Sequence, residues 1–116
     1  MGGAGGVPDI EAIFLGEVQV MSEEKGVRAV EVGRKFNIDL EAMPGAGYMW
    51  ELTLHPKELE LVSQEVVSIS RAIGGNSTQR FKFVAHQPGV YSLAFQLKRK
   101  WEKDPVKISN FSIQAK

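Results

Sequence analysis

The chain has 116 residues, 43% of them hydrophobic, with 14 Lys and Arg against 14 Asp and Glu. That is apolar material for one core rather than two, and zero net charge argues against a general nucleic-acid binder. With no cysteine, disulfides, thiolate zinc sites and a cysteine nucleophile are excluded, and no run of about 18 apolar residues is present to make a transmembrane helix.

In chain order, residues 1–8 begin Met1-Gly2-Gly3-Ala4-Gly5-Gly6. They lack the basic flank and apolar run of a signal peptide and read as a flexible leader or cloning remnant, leaving the compartment open. Residues 9–116 read as a single domain. Asp9 to Leu15 fits two states: Asp9 capping a short helix with Ile10, Ile13 and Phe14 on one face, or a strand. From residue 17 onward the period is two. Val30 and Val32 flank Glu31. After Gly33, the apolar residues Phe36, Ile38 and Leu40 alternate with Lys35, Asn37, Asp39 and Glu41, the pattern of a half-buried strand.

Tyr48, Trp50, Leu52 and Leu54 share one face of the next predicted strand, which Pro56 ends. Leu59 to Ile69 gives one strand or two short ones. Phe81, Phe83 and Ala85 alternate with Arg80, Lys82 and Val84. His86-Gln87-Pro88-Gly89 predicts a type II turn with Pro-Gly at its centre. Tyr91, Leu93, Phe95 and Leu97 form the following strand. The last carries Val106, Ile108, Phe111 and Ile113, whose change of phase predicts a bulge. Seven to eight short strands with turns between them point to an all-β, immunoglobulin-like antiparallel sandwich.

Three connections stand out. Loop 1, Met43-Pro44-Gly45-Ala46-Gly47-Tyr48, is a turn in which Pro44 fixes its φ and Gly45 and Gly47 can both take positive φ. Yet it carries Met43, Ala46 and Tyr48 where polar filler would do, which suits insertion into a partner. Trp50 just beyond it is in phase with Leu52 and Leu54 and reads as core. Loop 2, Ile73-Gly74-Gly75-Asn76, has paired glycines that let a backbone approach another surface, or is an ordinary flexible turn. Loop 3, Lys98-Arg99-Lys100-Trp101-Glu102-Lys103-Asp104, sets a Trp among charges. Exposed Trp and Arg dominate interface energetics; the plainer alternative is a Trp folded onto the sheet edge.

The three stretches together resemble the chagasin family of protein inhibitors of papain-like cysteine peptidases. In loop 1, Pro44, Gly47, Tyr48 and Trp50 match that family's Asn-Pro-Thr-Thr-Gly-Tyr/Phe followed by Trp, while Met43, Gly45 and Ala46 depart from it. Gly74-Gly75 falls at the glycine-rich second loop. Arg99-Lys100-Trp101 matches the third loop's Arg-Pro-Trp with Lys for Pro. The resemblance covers roughly residues 25 to 115. It implies an immunoglobulin-like sandwich whose three loops wedge reversibly into the active-site cleft. Met43 to Tyr48 would lie at the nucleophile, Ile73 to Asn76 along the substrate groove, and Arg99, Lys100 and Trp101 beside the catalytic histidine. The implied partner is a papain-like peptidase, cathepsin L-like or similar, with no cofactor, metal, nucleic acid or membrane, and the free chain is expected to be monomeric.

Two other readings fit the residues. One is an immunoglobulin-like adhesion module working through other faces; the other is a carbohydrate-binding sandwich with Tyr48 and Trp101 as stacking platforms. An enzyme is the poorest fit. The two histidines, His55 and His86, stand in turns, and no Ser-His-Asp set or metal-ligand spacing can be assigned.

Overall fold

The computed structural model describes the backbone of residues 9–15, 18–68 and 77–116, and the side chains of residues 21–67 and 77–116. Among the described residues eight strands run in order: β1 (Asp9–Leu15), β2 (Val18–Val30), β3 (Lys35–Ala42), β4 (Tyr48–Leu54), β5 (Leu59–Ser68), β6 (Ser77–Ala85), β7 (Gly89–Arg99) and β8 (Lys107–Ala115). They form two sheets, one of five strands in the order β1-β2-β8-β7-β4 and one of three in the order β3-β6-β5. All pairings are antiparallel except β2 with β8. This is the sandwich that the alternating pattern predicts, with the parallel β2–β8 pair as its one departure from the antiparallel expectation. Among the described residues no helix is long and apolar enough to cross a membrane.

The inward phase of each strand builds one core. Ile38 and Leu40 from β3, Phe81 and Phe83 from β6, Leu93 and Phe95 from β7, and Ile113 from β8 are all buried there with Trp50. Phe95 is its centre: it packs 4.8 Å from Phe81 and 6.4 Å from Phe83 in the facing sheet, and edge-on to Phe111 at 5.6 Å, between ring centroids. Offset and edge-on rings add to simple area burial.

Local expectations resolve in both directions. Asp9–Leu15 is a strand, paired with β2 from Asp9–Glu24 to Leu15–Val18. Residues 59–68 form one strand, with a register shift between Leu61 and Ser63. Leu54 does not share the face of Trp50 and Leu52. The β4–β7 register slips between Leu52 and Leu54, Thr53 donates its hydroxyl to the Ala94 carbonyl (3.1 Å), and Leu54 is turned outward, 53% exposed.

The bulge expected in the last strand is absent. β8 pairs with β7 without interruption, and its inward set is Ser109, Phe111, Ile113 and Ala115. The buried Ser109 occupies a position that the apolar pattern skips. The irregularity lies instead in β2, between Glu24 and Val27, where Gly26 has φ 79°.

No type II turn forms at Pro88-Gly89 either. Gly89 opens β7 with φ 154°, far from the ~+80° such a turn needs. The corner is closed by Tyr91, whose hydroxyl donates to the Gln87 carbonyl at 2.7 Å. This is the tyrosine-corner device of immunoglobulin-like sandwiches.

Candidate inhibitory loops

Strand direction puts the informative loops together. Loop 1 joins β3 to β4 and loop 3 joins β7 to β8, and Tyr48 sits opposite Arg99 in the β4–β7 ladder. Loop 2 lies outside the described residues, but its flanks are placed. Ser77 pairs with both Ala42 and Ser68, so the β5–β6 connection leaves from the same end as loop 1.

Loop 1 is a closed backbone device. Residues Pro44–Ala46 wind into one 3-10 turn, with Pro44 at its first position, where its missing N–H costs nothing. Ala46 N–H donates to the Met43 carbonyl (3.0 Å) and Gly47 N–H to the Pro44 carbonyl (2.9 Å). Met43 and Tyr48 close the base through reciprocal N–H to carbonyl bonds of 3.2 and 3.1 Å. Only Gly47 takes positive φ here, at 87°. Gly45 does not, because it lies inside the right-handed turn and the reversal falls at the residue ending it. Met43, Pro44, Gly45 and Ala46 are exposed.

Trp50 anchors that turn from below. It is buried, as its phase predicts, and its indole N–H donates to the Glu41 carbonyl across the base of the loop (2.8 Å). β4 is the last strand of its sheet, so its outer backbone groups need partners. Gln79 of the facing sheet supplies them at Trp50. Its carboxamide accepts from Trp50 N–H and donates to the Trp50 carbonyl, both at 2.8 Å, while only 4% exposed. This clamp ties the two sheets together directly beneath loop 1. The sequence reading passes over Gln79, although a polar residue in phase with Phe81 and Phe83 was the available signal.

Loop 3 is fastened onto loop 1 by side chains. The Arg99 guanidinium lies over the Tyr48 ring, 4.5 Å from its centroid, and its Nε donates to the Ala46 carbonyl at 3.2 Å. One face of Tyr48 is thus taken, which weakens the carbohydrate-stacking alternative. Glu102 N–H closes a turn onto the Arg99 carbonyl (3.0 Å), and Lys98 Nζ donates to the Glu102 carbonyl (3.1 Å). Trp101 is carried outward on that turn and is 73% exposed. The inner edge of its ring rests on Gly47: a Cβ there would lie 2.7 Å from the indole. The result is one continuous ridge of Met43, Ala46, Gly47 and Trp101, with Lys100 exposed beside it. The two histidines do not join it. His55 lies 6.3 Å from the Phe83 ring, and His86 Nε2 is 2.7 Å from Glu60 Oε1.

The family is settled by sequence. The profile described as Chagasin family peptidase inhibitor I42 matches residues 29–115, and the chain belongs to that family. It is accordingly a peptidase inhibitor and not an enzyme. The solved structures it resembles agree in fold. They include the cysteine protease inhibitor EhICP2 from Entamoeba histolytica, at 18% identity and TM-score 0.68, covering 78% of this chain and 86% of that one. Amebosin in solution is similar at 17% identity and TM-score 0.64, covering 82% and 96%. PbICP-C in complex with falcipain-2 is similar at 18% identity and TM-score 0.61, covering 88% and 96%. No curated protein matches the chain in sequence.

Proposed function

We propose that this protein inhibits papain-like cysteine peptidases reversibly and sterically, with loops 1, 2 and 3 wedged into the active-site cleft. The observation that carries the reading is the fastening of loop 3 onto loop 1. Arg99 bridges Tyr48 and Ala46, and leaves Trp101 outside the fold on a hydrogen-bonded base. A large aromatic held in place but left mostly in water is the kind of group that anchors an interface, and a loop already ordered lowers the cost of binding.

The nucleophile of such a peptidase is a thiolate paired with a histidine. Gly45 and Ala46 are exposed and have almost no side chain, so the backbone of loop 1 can come close to that pair. The turn closed by its own hydrogen bonds does not present the extended, aligned peptide that attack requires. Ile73, Gly74, Gly75 and Asn76 of loop 2 would run along the substrate groove, and Arg99, Lys100 and Trp101 beside the catalytic histidine. With no cysteine in the chain, no disulfide can link it to the target. A standard interface buries about 800 Å² on each partner, within reach of three loops at one end of a sandwich.

The reading is tested by titrating papain with the protein and then diluting the complex. Inhibition in the nanomolar range that is relieved on dilution is expected. No inhibition of several papain-like peptidases at micromolar protein would overturn it.

A further inference from the structure

The profile match begins at residue 29, so β1 and most of β2 lie outside the segment that defines the family. Their placement is nonetheless specific. β2 runs parallel to β8, with Met21 opposite Lys107, the first residue of β8, and Met21 N–H donating to the Val106 carbonyl (3.3 Å). The β1–β2 ladder does not stop there. It continues through Ile13–Val20 and Phe14–Gln19 to Leu15–Val18, three positions past Met21. At ~3.3 Å per residue that is about 10 Å beyond the start of β8. On the same scale β7 runs two residues past Leu97, which pairs with Lys107, before loop 3 turns at Arg99. The end of the hairpin therefore stands level with loop 3, on the side away from loop 1.

The sequence along this arm is graded. The pairs alongside β8 carry Asp9, Glu11, Ser22, Glu23 and Glu24, whereas the last three pairs are apolar at five of their six positions. An apolar run on a ladder that reaches past its neighbouring strand is the composition of a contact surface, since large contiguous apolar patches are seldom left to water. The distance fits as well. β1 is four strands from β4, about 19 Å at ~4.8 Å per strand. A patch of about 800 Å² is roughly 30 Å across, so a partner seated on loops 1 and 3 meets this arm within an ordinary footprint.

We propose that the end of the β1–β2 hairpin, residues 13–15 and 18–20, is a fourth contact element. It packs against an apolar surface of the inhibited peptidase beside the cleft, next to the site taken by loop 3. The proposal rests on the wedge reading above and adds to it a determinant of which peptidase is held longest.

The test compares papain binding by the full chain, by Leu15→Asp/Val18→Asp and by Trp101→Ala, with thermal unfolding of each. The hairpin variant is expected to dissociate at least tenfold faster at unchanged Tm. Weakening by Trp101→Ala alone, with the hairpin variant binding like the parent, would overturn the fourth contact and leave the wedge intact. No binding by the parent removes both. Should the hairpin variant unfold, amide exchange of the unaltered chain decides. Slowing of at least fivefold at residues 13–15 and 18–20 in the papain complex supports the contact, and unchanged exchange there overturns it.

Discussion

The two ends of the sandwich use their aromatic residues in opposite ways. At the end away from the loops, Tyr91 turns its hydroxyl inward onto the Gln87 carbonyl, and its ring packs against Gly89, where a Cβ would lie 3.1 Å away. Backbone bonds finish that end: Gly33 N–H donates to the Ala85 carbonyl (2.9 Å), and Val32 N–H to the Lys116 carbonyl (3.0 Å). At the loop end the backbones of loops 1 and 3 are also closed by hydrogen bonds, yet Trp101 is left in solvent above Gly47. One aromatic is committed to folding and the other is not. Stability and inhibition should therefore separate cleanly when the two are changed in turn.

The largest expected effect is on binding. Trp101→Ala should weaken peptidase affinity by ~2–4 kcal/mol, about 30- to 1,000-fold, measured as an inhibition constant. Gln79→Ala should act on the other side of the division. It leaves the buried N–H and carbonyl of Trp50 without partners, at about 2–4 kcal/mol of stability, read from chemical denaturation. Next comes Gly47→Ala, which strains a left-handed backbone by roughly 1–2 kcal/mol and drives a methyl group into the Trp101 ring. It alone should lower both Tm and affinity, because Gly47 belongs to the turn and to the ridge. Tyr91→Phe should cost about 1 kcal/mol of stability and leave inhibition unchanged.

The smallest effect is electrostatic. Burial pushes the Glu23 carboxyl up, but the hydrogen bond and charge of Lys25 (2.7 Å) and those of Lys107 (3.3 Å) outweigh it and hold the group below its ordinary value near 4.5. A carboxylate with a depressed folded-state pKa contributes stability that is complete above its unfolded pKa and is lost as pH falls through the folded one. Below about pH 4.5, Glu23→Gln should therefore flatten the fall of Tm with acid.

The same division decides what the sequence could reveal. Strands whose one face is core announce themselves by period: Phe36-Ile38-Leu40 and Tyr91-Leu93-Phe95 carry the fold in plain view. Loop 1 was legible because Pro44 and Gly47 mark a turn, and loop 3 because Trp101 stands among charges. What joins them was not. Arg99 meets Tyr48 and Ala46 only through the pairing of β4 with β7, a contact between residues about fifty positions apart that no local pattern encodes. Polar groups buried on the inward phase, Gln79 and Ser109, were hidden for a related reason: their role depends on the facing strand. The β2 irregularity at Gly26 fell in a charged stretch without alternation to interrupt, and the phase change near Ile108, read as a bulge, was an inward serine.

The most direct test of the central claim is a paired measurement on Trp101→Ala: its Tm, and its inhibition constant against a papain-like peptidase that the parent chain inhibits. The account predicts a Tm within about 2 °C of the parent, as for an exposed side chain making few contacts, with affinity reduced at least tenfold. A variant that loses stability while inhibiting as tightly as the parent would contradict it, and would make Trp101 a structural residue of loop 3 rather than the anchor of the wedge.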